Sequence, residues 1–310
     1  MPLSNQIHID KALTEISVSY KNEAFIADKV APMVPVKHDS DKFYVYSKDN
    51  LRLEETIRAN GSPAREVDWN VSSSSYTLEK HSLRHLVTDD SVENADEALD
   101  LKMDAAEVIS EKLKLRREAS VIDLIHTAAN WANTTSLTST YSWNKATDLS
   151  NPIKFVDSAT AAILKNTGMR PNICVMDENT FLAAKEHPSI VDRVKYTSSD
   201  SVTEAMLAKL FNIPEVHISR SIINSASEGL SDSLSFQMTD CCFIGYVEKA
   251  PGLRKPSALY CFNQQSYGYP MTMKQYRDEP REGVFVEGNM KYKAKIVASD
   301  CGYLIVNTIQ

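Results

Sequence analysis

The longest helical pattern in the sequence is Val92–Asn130, VENADEALDLKMDAAEVISEKLKLRREASVIDLIHTAAN, which contains neither proline nor glycine. Apolar residues recur every three or four positions along it and charged residues lie between them, which predicts one amphipathic helix. Asp89-Asp90-Ser91 precedes it and supplies the side chains that cap helices. At about 1.5 Å per residue the segment would form a rod of about 58 Å. We expect a helix of this length to be the spine of the subunit.

The segment before this helix begins with an extended arm. The two prolines of Val30-Ala-Pro-Met-Val-Pro-Val36 fix their own backbone and push the preceding residues out of the helical region. Residues 1–38 offer too few apolar residues for a core of their own. We therefore expect them to lie along a neighbouring surface.

A long hairpin is predicted between the arm and the helix. Lys42–Ser47 and Val71–Val87 carry the aromatic and β-branched residues typical of strands. The segment Asn50–Asn70 between them is charged, contains a turn signal at Asn60-Gly61-Ser62-Pro63 and offers few core residues. An isolated hairpin is marginal in water, so we expect another chain to support it.

The sequence after the helix changes character twice. From 151 to 262 helices alternate with strands, which predicts an α/β unit of about 110 residues. From Ser266 onward the pattern predicts strands alone, and we expect these to pack beside the long helix and the base of the hairpin. The first predicted helix of the α/β unit is opened by Asn151-Pro152 and closed by Gly168, and the others lie at 178–185 and 203–211. Its strands are predicted at 171–176, 216–219 and 241–247, and the later strands at 271–276, 284–297 and 303–306.

Composition excludes several classes of function. The chain has 310 residues, 43% hydrophobic and 24% charged, which is typical of a globular protein. Its longest apolar run, Ala258–Phe262, is far shorter than the roughly 20 residues of a membrane span. The N-terminal residues show no signal-peptide pattern, so a soluble chain that is not exported is expected. A net charge of -7 provides no global attraction to nucleic acid. The nine glycines form no phosphate-binding loop, which excludes Rossmann and P-loop sites.

The histidines and cysteines do not form a catalytic constellation. His81 and His85 have the spacing of zinc ligands on a helix, yet their surroundings predict a strand, and Ser82 stands where an HExxH motif has glutamate. Solvated strand histidines are the expected alternative. The cysteines lie mostly in apolar runs, where small reduced core residues of a cytoplasmic protein are expected rather than nucleophiles. These residues are Cys174, Cys241, Cys242, Cys261 and Cys301.

The charged clusters around the long helix are interpreted as structural. Acidic residues within Asp89–Asp104 would cap the helix and favour its dipole. The basic cluster Leu113-Lys-Leu-Arg-Arg117 is followed by Glu118, and we expect it to form a solvated face or salt bridges between subunits. The sequence therefore assigns no catalytic, cofactor-binding or metal-binding residue, and the chain is not expected to be an enzyme.

Several stretches, in this order along the chain, carry a resemblance to one family. With the predicted arm, hairpin, spine helix, α/β unit and returning strands, the chain resembles the major capsid proteins of tailed bacteriophages, which have the Hong Kong 97 type fold. The resemblance extends over essentially the whole chain. Its motifs are Phe25–Val36 (FIADKVAPMVPV), Lys42–Tyr46 (KFYVY), Arg170–Asp177 (RPNICVMD), Glu186–Tyr196 (EHPSIVDRVKY) and Ala205–Pro214 (AMLAKLFNIP).

The resemblance implies an α+β fold with named parts. An E-loop is the family's projecting hairpin, a P-domain contains the spine helix, and an A-domain is the α/β unit. No Lys–Asn cross-link of the kind that some members form can be placed on this sequence. The implied parts are 1–38 as N-terminal arm, 39–88 as E-loop, 89–150 as P-domain spine helix and connection, 151–262 as A-domain and 263–310 as P-domain C-terminal strands.

The resemblance also implies a function and partners. The chain would self-assemble through hexamers and pentamers into the icosahedral head shell of a virion that encloses double-stranded DNA, contacted non-specifically, with assembly in the bacterial host cytoplasm. Because the arm begins almost at Met1, a separate scaffolding protein or prior processing is expected. A portal and a decoration protein are further expected partners, and no membrane is. Two alternatives stay open, an encapsulin-like nanocompartment enclosing cargo enzymes and, with less support, an α/β hydrolytic enzyme.

Overall fold

The computed structural model describes residues 22, 25–46, 48–64, 66–67, 71–94, 100–147, 149–195, 202–227, 229–252, 255–265 and 271–310. In these ranges no helix combines the length and the apolar character needed to span a bilayer. The helices are α1 Ala27–Val30, α2 Asp89–Glu93, α3 Leu101–His126, α4 Pro152–Thr167, α5 Glu178–Glu186, α6 Pro188–Val194 and α7 Glu204–Phe211. The strands are β1 Met33–Val36, β2 Ser40–Tyr46, β3 Val71–Thr77, β4 Glu79–Thr88, β5 Asn133–Ser136, β6 Ile173–Asp177, β7 Glu215–Ser219, β8 Ile222–Asn224, β9 Leu234–Phe236, β10 Cys241–Gly245, β11 Leu259–Gln264, β12 Thr272–Asp278, β13 Gly283–Ile296 and β14 Gly302–Val306.

One five-stranded sheet, which we call the spine sheet, is organised around β13. Strand β4 runs antiparallel along one edge of β13, while β12 and β11 pair with successive parts of the other edge, and β1 adds in parallel to β11. Helix α3 crosses one face of this sheet. Gly288 of β13 lies beneath it, where a Cβ atom would stand 2.5 Å from Cγ2 of Ile109. Only glycine permits this close approach of helix and sheet.

The spine helix is shorter than the sequence predicts, because it begins at Leu101 and not at Val92. The side chain of Asp100 accepts hydrogen bonds from the backbone N–H groups of Lys102 and Met103 at 3.1 and 3.2 Å, which starts a new helix there. The predicted cap at Asp89-Asp90-Ser91 is instead the first turn of the short helix α2, which Thr88 caps. The 26 residues of α3 span about 39 Å. Residues 95–99 lie outside the described part of the chain.

The second five-stranded sheet, which we call the α/β sheet, has the order β5-β14-β10-β6-β7. The predicted helices and strands of this unit are confirmed, with differences of a few residues at their ends. Asn151 caps α4, Pro152 occupies its first turn and Gly168 ends it with a φ of 72°, as the sequence pattern indicates. The core between helices and sheet includes Ile153, Val156, Ile163, Leu207 and Phe211.

Two segments belong to sheets other than the expected ones. We expected 303–306 to lie beside the spine helix, but β14 lies between β5 and β10 in the α/β sheet. The indole ring of Trp131 leaves no room for a side chain at Gly302 of β14. Leu304 and Ile305 point to opposite faces of the strand and are both buried, which is typical of a central strand in a sheet that is covered on both faces. Conversely, β11 leaves the α/β unit and joins the spine sheet. The segments 151–262 and 263–310 are thus each divided between the two sheets.

The arm is also more deeply integrated than expected. Ile26, Ala27, Val30 and Ala31 are buried in the core that the subunit's own spine helix and spine sheet enclose. Strand β1 completes the integration by pairing with β11. Because apolar side chains of residues 26–31 reach this core, that part of the arm is a structural element of the subunit. Residues 1–21 and 23–24, the rest of the predicted arm, lie outside the described residues.

Candidate assembly surface

The predicted hairpin is confirmed at β2 and β3, and its base is attached to the spine sheet. The predicted strand Val71–Val87 is divided at Leu78, and its second part, β4, pairs with β13 in the spine sheet and not with β2. Strands β2 and β3 pair antiparallel from Ser40 opposite Thr77 to Tyr46 opposite Val71. At the base, the ring of Tyr76 stacks on that of Phe262 with centroids 4.5 Å apart, and Phe43 packs against the same ring at 5.6 Å. These aromatic contacts fix the direction in which the hairpin projects.

The distal part of the hairpin has no core and exposes large apolar side chains. Leu53 is 98% exposed and Ile57 is 83% exposed, and Leu51 and Val67 are exposed as well. Full burial of one such side chain is worth about 1.5–3 kcal/mol. Large apolar groups concentrated on a projecting element are typical of a surface that another molecule covers. Charged residues dominate the sequence of this segment, and the exposed apolar residues were not predicted. The sequence signal for them is an apolar residue at 51, 53 and 57 in a segment that has no place in a core.

Charged side chains surround these apolar residues. Arg52, Glu54, Glu55, Arg58 and Glu66 are exposed, as the sequence indicates. Arg65, a further charged residue of this segment, lies outside the described residues. The loop turns at Gly61, whose φ is 84°, and the backbone N–H of Ser62 donates to the carbonyl of Ala59 at 3.2 Å. The turn predicted at residues 60–63 is therefore confirmed.

The loop also touches the body of the subunit near its base. Nζ of Lys48 lies 2.9 Å from a carboxylate oxygen of Asp300, two residues before the α/β sheet strand β14. Lys48, Leu51 and Arg52 line a shallow open cleft together with Lys165 and Asn166 at the end of α4. The exposed surface that begins at this cleft, residues 51–67, is called the hairpin tip below.

The two histidines considered as metal ligands lie on β4, as the strand prediction requires. His81 lies opposite Met290 and His85 opposite Val286, so both point to one face of the sheet. The ring of His81 stacks on Tyr292 at 4.6 Å, and burial lowers its pKa below the usual value. Over the described ranges no cluster of three or more His, Cys, Asp or Glu residues could hold a metal ion.

The cysteines are free and buried, as the prediction of small core residues requires. Desolvation raises the pKa of Cys261 to about 12 and that of Cys301 to about 11. The pKa of Cys241 is raised for the same reason, and that of Cys242 is raised by its contact with Cys174 and by burial. Thiols with raised pKa values are poor nucleophiles at neutral pH, so these side chains act in packing.

The basic cluster on the spine helix is only partly the solvated face that the sequence suggested, because Arg116 is exposed but Arg117 is not. Arg117 is buried and lies 2.6 Å from the carboxylate of Asp28 in α1. Glu118 is fully buried, and its two carboxylate oxygens accept the backbone N–H groups of Ile26 at 3.0 Å and Ala27 at 2.8 Å. Burial raises the pKa of Glu118, although these two hydrogen bonds oppose the rise. The pair therefore clamps the arm to the spine helix within one subunit.

Comparison with known sequences finds relatives among phage coat proteins. No family model matches the chain. It is 25% identical over 305 residues to the major capsid protein of Burkholderia phage BcepMu, which covers 96% of this chain and 95% of that protein. It is 28% identical over 231 residues to the major capsid protein of Pseudomonas phage JBD67, which covers 73% of each.

Comparison with solved structures gives the same fold. A phage-related protein from Bordetella bronchiseptica matches with a TM-score of 0.75 and 22% identity, covering 93% of this chain and 94% of that one. The mature capsid of bacteriophage PhiM1 matches with a TM-score of 0.59 and 10% identity, covering 94% of this chain and 89% of that one. The SrpI encapsulin of Synechococcus elongatus matches with a TM-score of 0.53 and 11% identity, covering 97% of this chain and 96% of that one. The chain therefore has the Hong Kong 97 type fold and is a relative of the major capsid proteins of phages.

Proposed function

We propose that this chain is the major capsid protein of a tailed phage and assembles through hexamers and pentamers into the icosahedral shell of the virion head. The observation that carries the proposal is the hairpin tip, a projecting element without a core whose large apolar side chains are exposed. In a closed shell, heterologous contacts around rotation axes would bury such a surface against the next copy. The similarity to phage major capsid proteins supports the same conclusion.

The chain acts by assembly rather than by catalysis in this proposal. Its expected partners are other copies of itself, a scaffolding protein and a portal during assembly in the host cytoplasm, and a decoration protein on the finished shell. Double-stranded DNA would be enclosed and contacted non-specifically. The net charge of -7 is consistent with enclosure, because an acidic subunit does not grip a polyanion along its whole surface.

An encapsulin-like nanocompartment is the second candidate, because the SrpI encapsulin has the same fold. The two functions differ in what the shell contains. Whole particles purified from the natural producing strain would be examined by electron microscopy, and their contents would be analysed for nuclease-protected DNA and for enclosed proteins. The proposal predicts closed shells with protected genome-length DNA. Shells that contain a stoichiometric enzyme and no DNA would favour the nanocompartment.

A further inference from the structure

Helix α1 of the arm lies between the spine helix and one edge of the α/β sheet. On one side, Arg117 and Glu118 of α3 hold it through the clamp described above. On the other side, Nζ of Lys29 lies 3.4 Å from Nδ1 of His217 in β7, the strand at the end of the sheet order. This second contact therefore links the arm, which is anchored on the spine helix, to the edge of the α/β sheet.

Strand alternation directs the side chain of His217 towards the arm. Its neighbours Val216 and Ile218 are buried in the core that helices α4–α7 form with the sheet, so His217 lies on the opposite face of β7. The side chain of His217 is 15% exposed. A carboxylate oxygen of Glu215, on the same face, lies 3.3 Å from its Nε2 atom. Each ring nitrogen thus has its own partner, one on the arm and one on β7.

The chemistry of these two partners determines the protonation state of the ring. An ammonium group only donates hydrogen bonds, so Nδ1 of His217 must carry a lone pair where it contacts Lys29. A carboxylate only accepts, so Nε2 carries the hydrogen that it donates to Glu215. The two contacts together require a neutral imidazole. A second proton would bind at Nδ1, where it would face the positive charge of Lys29 and break the contact.

The remaining charged groups around the imidazole oppose one another. Glu215 also pairs with Nζ of Lys249, which follows β10. Glu204 of α7 acts on the ring electrostatically, and its carboxylate lies 3.1 Å from Arg220. Burial, and after it the ammonium group of the arm, lowers the pKa of the imidazole below its usual value, whereas the two carboxylates oppose this fall. The ring is therefore neutral at pH 7, and it gains its proton as the pH drops below about 6.5 towards the lowered pKa.

One further contact joins the arm to the same part of the molecule. The side-chain amide of Asn22 accepts the N–H of Ile222 in β8 at 2.9 Å and donates to its carbonyl at 3.4 Å. We propose that His217 is a pH-operated latch, which holds the arm to the edge of the α/β sheet when the ring is neutral and releases it when the ring is protonated. After release, the exposed bonds at Asn22 lose the support of a second contact, so the arm and the sheet edge separate more often.

The variant Lys29→Gln tests the latch, because glutamine can form a hydrogen bond with either form of the ring. Its amide N–H groups donate to Nδ1 of the neutral imidazole, and its carbonyl accepts from Nδ1–H of the protonated one. The contact should therefore persist at both pH values. Lys37→Gln removes the charge of another exposed lysine of the arm and is the matched control.

Hydrogen exchange of the full chain, measured by mass spectrometry at pH 7.5 and pH 5.5 and corrected for intrinsic amide exchange, follows the release. We expect amides in 27–31 and 217–222 to exchange about fivefold faster at pH 5.5 in the unaltered chain and in Lys37→Gln. In Lys29→Gln this ratio should fall to about half or less. Glu118 and the other titrating groups are present in all three proteins, so their contribution cancels. Equal ratios in Lys29→Gln and the unaltered chain, or no pH effect in the unaltered chain, would overturn the proposal.

Exchange at the C2 carbon of the imidazole measures the pKa of His217 itself. Because the ammonium group of Lys29 lowers this pKa, Lys29→Gln should raise it, whereas Lys37→Gln should leave it unchanged. A variant that merely loosened the arm without touching the ring would not show this pattern. An unchanged pKa of His217 in Lys29→Gln would mean that the arm does not contact the ring, and the latch would be wrong.

Discussion

At the scale of single residues, the clamp between Arg117, Glu118 and the arm differs most from the expectation. A run of alternating charges on a helix ordinarily indicates a solvated face, and the sequence contains no sign that two of these charges are buried. The reason they are buried is tertiary, because α1 begins directly above them and its N–H groups need acceptors. The buried cysteines could be predicted, since their apolar neighbours are adjacent in sequence.

Glu118→Ala is expected to destabilise the subunit by about 2–3 kcal/mol, because the N–H groups of Ile26 and Ala27 lose their acceptor in a buried place. Glu111→Ala on the same helix, which breaks only a partly exposed ion pair with Lys114, should cost less than about 1 kcal/mol. Denaturant unfolding of both variants measures the difference. Equal losses would mean that Glu118 does not hold the arm.

His187 makes the stability of the subunit depend on pH. Burial lowers its pKa, and its Nδ1 accepts the backbone N–H of Ser189 at the start of α6. The unfolded chain therefore binds a proton more readily, and stability falls as the pH drops below about 6.5 towards the lowered pKa. His187→Asn keeps a capping side chain without the titration, so its melting temperature should fall less between pH 7.5 and pH 5.5. The raised pKa of Glu118 makes stability change with pH in the opposite direction. Because Glu118 is present in both proteins, its contribution cancels when their pH profiles are compared. Identical pH profiles would contradict this role.

At the scale of elements, most strands and helices of the α/β unit follow from local signals. Asn151-Pro152 and Gly168 delimit α4, and strand alternation predicts β2 and β3. The start of the spine helix could not be located from the sequence, because Thr88 and Asp100 can each cap the N-terminus of a helix. The packing of α3 on β13 is a tertiary contact that this local pattern does not contain. The hairpin could be predicted as an excursion, whereas its exposed apolar side chains were overlooked among more numerous charges.

The arm provides the prediction at this scale. The sequence suggested that residues 1–38 only lie along a neighbouring surface, but Ile26 and Ala27 are buried in the core of the subunit. Removal of residues 1–24 should therefore preserve the cooperative unfolding transition, while removal of residues 1–28 should lower the melting temperature clearly because it also breaks both hydrogen bonds to Glu118. Calorimetry of the two truncated chains makes the comparison. If both melted like the full chain, the arm would be external to the core.

At the scale of the whole molecule, the order of the parts could be predicted, but the sharing of segments between sheets could not. Strands β11 and β14 exchange places relative to the expectation, because strand pairing over long sequence separations depends on the assembled core. The consequence for function is that the spine sheet and the α/β sheet are tied together by several chain crossings. The hairpin tip is the large element that projects from this body.

The charges of the hairpin tip should matter for assembly and little for folding. Arg52→Glu combined with Arg58→Glu reverses two exposed charges. The free energy of unfolding, followed by thermal melting, should therefore change by no more than about 1 kcal/mol. Each pair across a subunit contact is also worth only about 0–1 kcal/mol, but a shell repeats it at every contact. Light scattering should therefore show assembly that is blocked or strongly dependent on salt. Normal assembly of this variant would mean that these charged side chains contact only solvent and no neighbouring subunit.

The most direct test of the central claim separates assembly from folding at the apolar residues of the hairpin tip. Leu53→Glu with Ile57→Glu changes two side chains that contact almost nothing in the subunit, and Leu164→Glu is the control at an exposed leucine of α4. Sedimentation and electron microscopy would follow assembly, and thermal melting would follow folding. We expect the double variant to melt like the unaltered chain but to form no closed shells, while the control still assembles. Normal shells from the double variant would contradict it.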